Sequence, residues 1–240
     1  MSYKSHWTTP LFLWPMRRHR SPYDVSYGGR KIRVFPGVLS PRYDWSGKFG
    51  VECLPPTTGK AFLEIGPGCG IVSLFAALAG ARIVVSVDVS PVAVCNTKCN
   101  FDRHGVSNAH VVRGDLFDCI SGQFDIIFFN APFHGSRAGD WLERAVCDED
   151  YDALKRFIAG ARARLTADGV VMLGYSKIGD EALLHSELDR AGLSVVSCRE
   201  RRKWGYSCRY YTFARRLGAG SPDRRMIPVT QGKSRSTMSP

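Results

Sequence analysis

Two loops of this sequence carry residue types that can do chemistry. The first reads Phe62-Leu63-Glu64-Ile65-Gly66-Pro67-Gly68-Cys69-Gly70-Ile71. Gly66, Gly68 and Gly70 alternate where an apolar run gives way to a helical one. Glycine there allows a sharp turn and lets a ligand approach the main chain. The helix that follows adds unpaired N–H groups and a positive dipole end. Asp88 comes 18 residues after Gly70, at the end of Val85-Ser86-Val87-Asp88. A carboxylate at such a place can accept from both hydroxyls of a ribose, or it can cap the next helix. Asp115, in Gly114-Asp115-Leu116-Phe117, can accept from an adenine amino group, with Asp118 nearby as a solvated acid. The spacing is Gly-x-Gly-x-Gly. The dinucleotide pattern would need glycine at 71, where Ile71 stands, which disfavours a nicotinamide-dependent dehydrogenase.

The second loop is Phe128-Phe129-Asn130-Ala131-Pro132-Phe133-His134-Gly135. The Asn130 side-chain oxygen can accept one N–H of a nitrogen substrate, and the Ala131 carbonyl a second. Pro132 stiffens the turn. Phe133 offers a flat face to a planar amide or base. His134 is either a base beside this loop or a solvated loop histidine. Arg199 to Lys203, with Trp204 and Tyr206, interleave basic and aromatic side chains. They form either a nucleic-acid contact or a solvated tip.

Elements must bring these loops together. Apolar runs at Ala61–Ile65, Arg82–Val87, His110–Val112, Phe124–Phe129, Gly169–Gly174, Leu193–Cys198 and Ser207–Ala214 read as strands. Helices are expected over Ile71–Ala79, Pro91–His104 with Ser90 as N-cap, Asp148–Leu165 and Glu181–Arg190. Strands alternating with helices give a mainly parallel α/β sheet of about seven strands, covered on both faces. The last two strands lie too close in sequence for a parallel crossover, so they pair as a terminal antiparallel hairpin. Ahead of the sheet, residues 1–20 read as an arm. Residues 23–35 read as a hairpin around Gly28-Gly29, Pro36–Pro41 as a loop, and 42–60 as irregular chain. Three regions result: 1–60, a candidate cover for the substrate; 61–215, the α/β domain; and 216–240, a basic disordered tail.

Glu64 through Gly70, Asp88 and Gly114-Asp115 resemble the S-adenosylmethionine (SAM) motifs of class I methyltransferases. The likeness runs over about residues 60–215. The Asn130–Phe133 loop is similar to the Asn-Pro-Pro-Tyr/Phe motif of the small-domain group. That group includes the HemK-type release-factor glutamine methyltransferases and the ribosomal-RNA guanine and adenine amino methyltransferases. Ala131 stands where that motif has its first proline. The resemblance implies a Rossmann-like class I methyltransferase fold and SAM as cofactor. It implies cofactor contacts from Glu64, Gly66, Gly68, Gly70, Asp88, Asp115, Leu116 and Asn130. Glu64 would orient the methionine end and support the loop. Asn130, Pro132 and Phe133 would position the acceptor nitrogen for in-line methyl transfer.

Composition bounds the partners. The chain has 240 residues and a formal net charge of +11. Residues 1–60 carry 10 basic and 3 acidic side chains, whereas 61–150 carry 6 and 11. The basic ends admit nucleic acid or serve as solvated tails. No apolar run reaches the roughly 18 residues of a membrane span, and no signal-peptide pattern opens the chain, so a cytoplasmic enzyme is expected. The 8 cysteines are expected as buried thiols, not as disulfides or metal ligands. The resemblance of the Asn130 loop and the basic ends make an RNA base or a protein glutamine the first candidate acceptor, with a metabolite N- or O-methyltransferase and a non-catalytic binding scaffold as alternatives.

Overall fold

A computed structural model describes residues 8–203 and 206–216. The expected tail therefore lies outside the described residues apart from Arg216, as does Trp204. The first described element is helix α1 (Thr8–Arg17), within the stretch 1–20 where the lack of periodicity suggested an arm; residues 1–7 of that stretch lie outside the described residues. Leu13 and Met16 of this helix pack on Leu142 and Val146, contacts that no local pattern could reveal. Strands β1 (Tyr23–Tyr27) and β2 (Arg30–Val34) form the expected hairpin, with Tyr27 opposite Arg30 across Gly28-Gly29. Residues 42–60 are not irregular throughout, because Ser46–Cys53 form helix α2.

The main sheet follows. Its strands are β3 (Ala61–Ile65), β4 (Ile83–Asp88), β5 (Ala109–Arg113), β6 (Phe124–Asn130), β7 (Leu165–Ser176), β8 (Leu193–Lys203) and β9 (Tyr206–Arg215). The order is β5-β4-β3-β6-β7-β9-β8. The first five run parallel, and β9 inserts antiparallel between β7 and β8. Helices α3 (Ile71–Leu78), α4 (Pro91–Arg103), α5 (Trp141–Arg144), α6 (Asp152–Arg164) and α7 (Glu181–Ala191) complete the chain. Helix α6 starts later than the expected Asp148. Asp150 and Tyr151 take left-handed backbone angles, and the Asp148 carboxylate accepts from the amides of Ala153 and Leu154.

Both sheet faces are covered, so β3 is buried at every position and reads as a continuous apolar run rather than an alternating one. One face carries Leu154, Phe157 and Ile158 of α6 with Leu184 and Leu188 of α7. The other carries Leu74 of α3 and Phe101 of α4, together with Val25 and Ile32 of the hairpin and Phe49 of α2. Residues from Val25 to Cys53 thus share a core with the sheet. Asn96 and Asn100 on α4 fix the hairpin by accepting from the amides of Phe35 and Arg33. Of the cysteines, Cys53, Cys69, Cys147 and Cys208 are buried as expected, but Cys95 and Cys119 are exposed, on the solvent side of α4 and in the turn after β5.

Chain order places β4 and β5 on one side of β3 and β6 onward on the other. The direction of winding reverses between β3 and β6, and open α/β sheets form a crevice at that point, beyond the carboxyl ends of the strands. Both chemistry-bearing loops start there.

Candidate active site

The glycine turn leaves β3 through three left-handed residues, Gly66 (φ 64°), Gly68 (φ 59°) and Gly70 (φ 74°). A Cβ on Gly70 would also stand 2.8 Å from Thr97 Cγ2, so close packing on α4 excludes a side chain there. Gly66 and Gly68 have space around them but need the positive φ. Asp88, at the end of β4, accepts from the Gly68 amide at 3.1 Å and the Ser90 amide at 2.9 Å. Its burial raises its proton affinity, opposed by these two amides. The helix cap proper is Ser90, so Asp88 ties the glycine loop to β4 and presents its remaining lone pairs to the crevice.

Glu64 is 2% exposed. Its Oε2 accepts from the Ser73 amide at 2.8 Å and from the Ser73 hydroxyl, and so braces the first turn of α3. Burial pushes its carboxyl up to about 7, against the pull of those bonds. Asp115 and Leu116 follow β5. Leu116 holds a left-handed backbone (φ 49°), which turns its side chain inward against the crevice. Such a conformation is strained for a non-glycine residue and persists only where the surroundings enforce it. Asp115 is partly exposed and pairs with Arg156 of α6 at 2.8 Å. Asp118 is exposed, as expected of the solvated acid.

Asn130 ends β6. Its Nδ2 donates to Ser46 Oγ at 2.7 Å, and its Oδ1 lies 3.1 Å from the Tyr210 hydroxyl. That hydroxyl also faces the Ser46 carbonyl at 3.1 Å, so one proton is shared between two acceptors. Gly174 on β7 gives the amide its space, since a Cβ there would collide with Asn130 Oδ1. The Ala131 amide donates to the Gly174 carbonyl at 3.0 Å, which holds the turn to β7 in the absence of the first proline. Asn130 and Pro132 line the crevice. The Phe133 ring does not; it lies 4.6 Å from His134 and 5.7 Å from Tyr206. His134 is 8% exposed and bridges to Cys147, which rules out a solvated loop histidine.

Three residues of the site carry no motif. Ser46 and Asp44 come from the stretch expected to be irregular, and Tyr210 from β9. Asp44 accepts from the Ser46 amide at 3.0 Å and from the Ser46 hydroxyl at 2.5 Å. A charged Asp44 draws the Ser46 proton. Ser46 Oγ is then left to accept from Asn130, and this fixes which end of the Asn130 amide is oxygen.

Together these loops enclose a cavity of about 820 Å³, roofed by the 37–41 loop and by the chain from Arg137 to Lys155. Cavities of roughly 300–1,000 Å³ suit cofactor-sized ligands. A nucleoside joined to an amino acid fits the lining: an uncluttered backbone at Gly66 and Gly68, carboxylates at Glu64 and Asp88, and an apolar wall at Leu116. Among the described residues, no group of His, Cys, Asp and Glu is placed to hold a metal ion. No described helix is long and apolar enough to cross a membrane.

Comparison with known proteins agrees with this geometry. The family model described as methyltransferase small domain matches residues 30–195. A relative from Methanocaldococcus jannaschii, carrying the provisional name protein N5-glutamine methyltransferase, is 31% identical over 182 residues. The match covers 73% of this chain and 91% of that one. The ribosomal RNA small subunit methyltransferase C of Chromohalobacter salexigens is 31% identical over 150 residues, which is 60% of this chain but 41% of the relative. Among solved structures, the T. thermophilus 16S rRNA N2 G1207 methyltransferase, in complex with AdoMet and guanosine, superposes with a TM-score of 0.59 at 23% identity. It covers 79% of this chain and 49% of that one, a likeness of fold. The chain thus spans nearly all of the first relative and about half or less of the other two. The chain belongs to the methyltransferase small-domain family and is a SAM-dependent methyltransferase of the class I fold.

Proposed function

We propose that this enzyme methylates a nitrogen of a macromolecule, either an RNA base amino group or a protein glutamine amide. The relatives named for rRNA and for N5-glutamine methylation support the class of acceptor. The observation that carries the reading is the clamped amide of Asn130. Ser46 takes its N–H end, and its oxygen, which accepts from Tyr210, keeps a second lone pair for an incoming N–H. SAM supplies an electrophilic methyl group on a sulfonium sulfur. Gly66 and Gly68 would admit its methionine end to the main chain, whereas Gly70, expected at the cofactor, lies off the cavity and packs on Thr97 of α4; Glu64 would stand near the ammonium, Asp88 on the ribose, and Asp115 and Leu116 at the adenine. Asn130 Oδ1 and the Ala131 carbonyl would accept the acceptor's N–H groups, turning the nitrogen lone pair toward the methyl. The same oxygens stabilise the positive charge that develops on nitrogen. Pro132 would hold the turn, and Phe133 would stack on a planar acceptor after a ring rotation away from Tyr206. Acceptors of either kind are met in the cytoplasm, the location this reading carries.

Replacement of Asn130 by Ala tests it. Turnover is expected to fall by about 10²–10³-fold, as for loss of a transition-state hydrogen-bond partner. SAM affinity by calorimetry should stay within about threefold. Unchanged turnover would remove Asn130 from the reaction.

A further inference from the structure

Methylation at nitrogen leaves one proton too many. The acceptor R–NH2 gains a methyl and becomes R–NH2+–CH3, the sulfonium sulfur keeps the electrons of the broken bond, and the nitrogen must then shed a proton to end as R–NH–CH3. Asn130 Oδ1 and the Ala131 carbonyl can orient N–H groups but cannot take a proton at neutral pH.

The cavity contains a group that can. Asp44 lines it, one hydroxyl away from Asn130 through Ser46. Two of the roughly four lone-pair positions of its carboxylate are filled by the Ser46 amide and hydroxyl, and the others are left for the cavity. The groups facing it are neutral near pH 7: Tyr206, Cys208 and Tyr210 from β9, and Cys69 from the glycine turn. Of the other acids lining the cavity, Glu64 is engaged with Ser73, Asp88 with the Gly68 and Ser90 amides, Asp115 with Arg156, and Asp148 with the Ala153 and Leu154 amides, while Glu149, Asp150 and Asp152 lie at the start of α6. No cation is among the influences on Asp44, which are its burial and the two bonds from Ser46.

We propose that Asp44 is the general base of this enzyme, taking the proton of one N–H that Asn130 Oδ1 or the Ala131 carbonyl releases once the methyl has arrived and the nitrogen is positive. This rests on the reading of the site as nitrogen-directed. The released proton ends on the Asp44 carboxyl and leaves to solvent with the product. Burial raises the Asp44 carboxyl above its ordinary range, which brings its proton affinity closer to the working pH, as a general base requires. The Ser46 bridge couples the two tasks, since the hydroxyl that serves Asp44 also sets the direction of the Asn130 amide.

Asp44 also accepts from the first amide of α2, so a capping role alone has to be separated from catalysis. Asp44→Asn and Asp44→Ser both keep a capping oxygen and remove the base. The assay is single-turnover transfer from methyl-labelled SAM, at saturating SAM, to total RNA and to total protein of a cell extract. Both variants are expected to fold, as read by circular dichroism, and to keep SAM affinity within about threefold by calorimetry. Their transfer rate should drop by about 10²–10⁴-fold, the usual worth of general base catalysis. The wild-type rate should fall with acid as Asp44 is protonated, and Asp44→Asn should lose that acid limb. Rates within about threefold of wild type, in a variant that folds and binds SAM, overturn the assignment while leaving nitrogen methylation standing. A full acid limb in Asp44→Asn assigns the titration to another acid of the cavity and also overturns it. Wild-type label on neither fraction, or on oxygen, overturns the nitrogen-directed reading and this base with it.

Discussion

Glu64→Gln gives the sharpest test of how the buried acid under the glycine turn is held. The folded protein raises this carboxyl from an ordinary 4.5 to about 7, chiefly because burial disfavours the charge. Below about pH 4.5 the group is protonated in both folded and unfolded chains, and its contribution to stability is fully present. Between the two values the unfolded chain releases the proton while the folded chain keeps it, so stability falls by roughly 1.4 kcal/mol per pH unit. Above about pH 7 both states are ionised and the loss is complete, at about 3 kcal/mol. Gln cannot ionise, and its carbonyl can still accept from Ser73. Urea unfolding of both proteins between about pH 5 and pH 8 should therefore show the variant gaining on wild type by about 3 kcal/mol. Any fixed cost of housing the amide N–H groups shifts the whole curve and not its slope. A gap that stays constant with pH, or that closes in the opposite direction, would refute the reasoning. Bound SAM, whose ammonium would favour the carboxylate, should make wild-type SAM affinity rise over the same window, and the variant should lack that rise.

Other expected outcomes follow from the same geometry. Asp88→Ala should weaken SAM binding by about 10–100-fold in calorimetry, for loss of charge-assisted bonds to the ribose and of the tie to Gly68; unchanged affinity would remove Asp88 from the cofactor site. Gly174→Ala should drive a methyl into Asn130 Oδ1 and Tyr210, costing about 1–3 kcal/mol of stability and lowering turnover more than SAM affinity; normal turnover would mean the clamp on Asn130 is dispensable. Gly70→Ala should cost about 1–3 kcal/mol of stability through its positive φ and its contact with Thr97, seen as a lower unfolding midpoint. If RNA is the acceptor, raising salt from about 50 to 200 mM should weaken its binding steeply, whereas a protein acceptor without a charged interface should respond little.

The parts of the site that the sequence displays are those where backbone geometry restricts residue type. Three alternating glycines, an acid ending β4 and an amide ending β6 are each dictated locally, and all stand where expected. The rest depends on contacts distant in sequence. Helix α2 has two glycines and a valine among its eight residues, and is held by Phe49 in the core and by a Gly50 so close to Phe128 and Tyr210 that no Cβ fits; tertiary packing overrides weak propensity there. The place of Asp44 and Ser46 beside Asn130 could not be read without knowing that α2 docks beside β6. Asp115 was legible as an acid after β5, but its partner Arg156 lies 41 residues on. The expected helix from Asp148 missed the left-handed pair Asp150 and Tyr151, whose residue types give no warning. A short signal was available for one omission: Asp44-Trp45-Ser46 places an acid two residues before a serine at a helix start, a local capping pattern.

The central claim is methyl transfer from SAM to nitrogen, and the chemical position of the transferred methyl tests it most directly. The protein is incubated with methyl-labelled SAM and cell extract, the RNA and protein are hydrolysed to nucleosides and amino acids, and the labelled product is identified by mass spectrometry. Label on an exocyclic base nitrogen or on the glutamine side-chain amide, lost in Asn130→Ala, is the predicted result. Label on oxygen, carbon or sulfur, or no transfer from a protein that binds SAM, would contradict it.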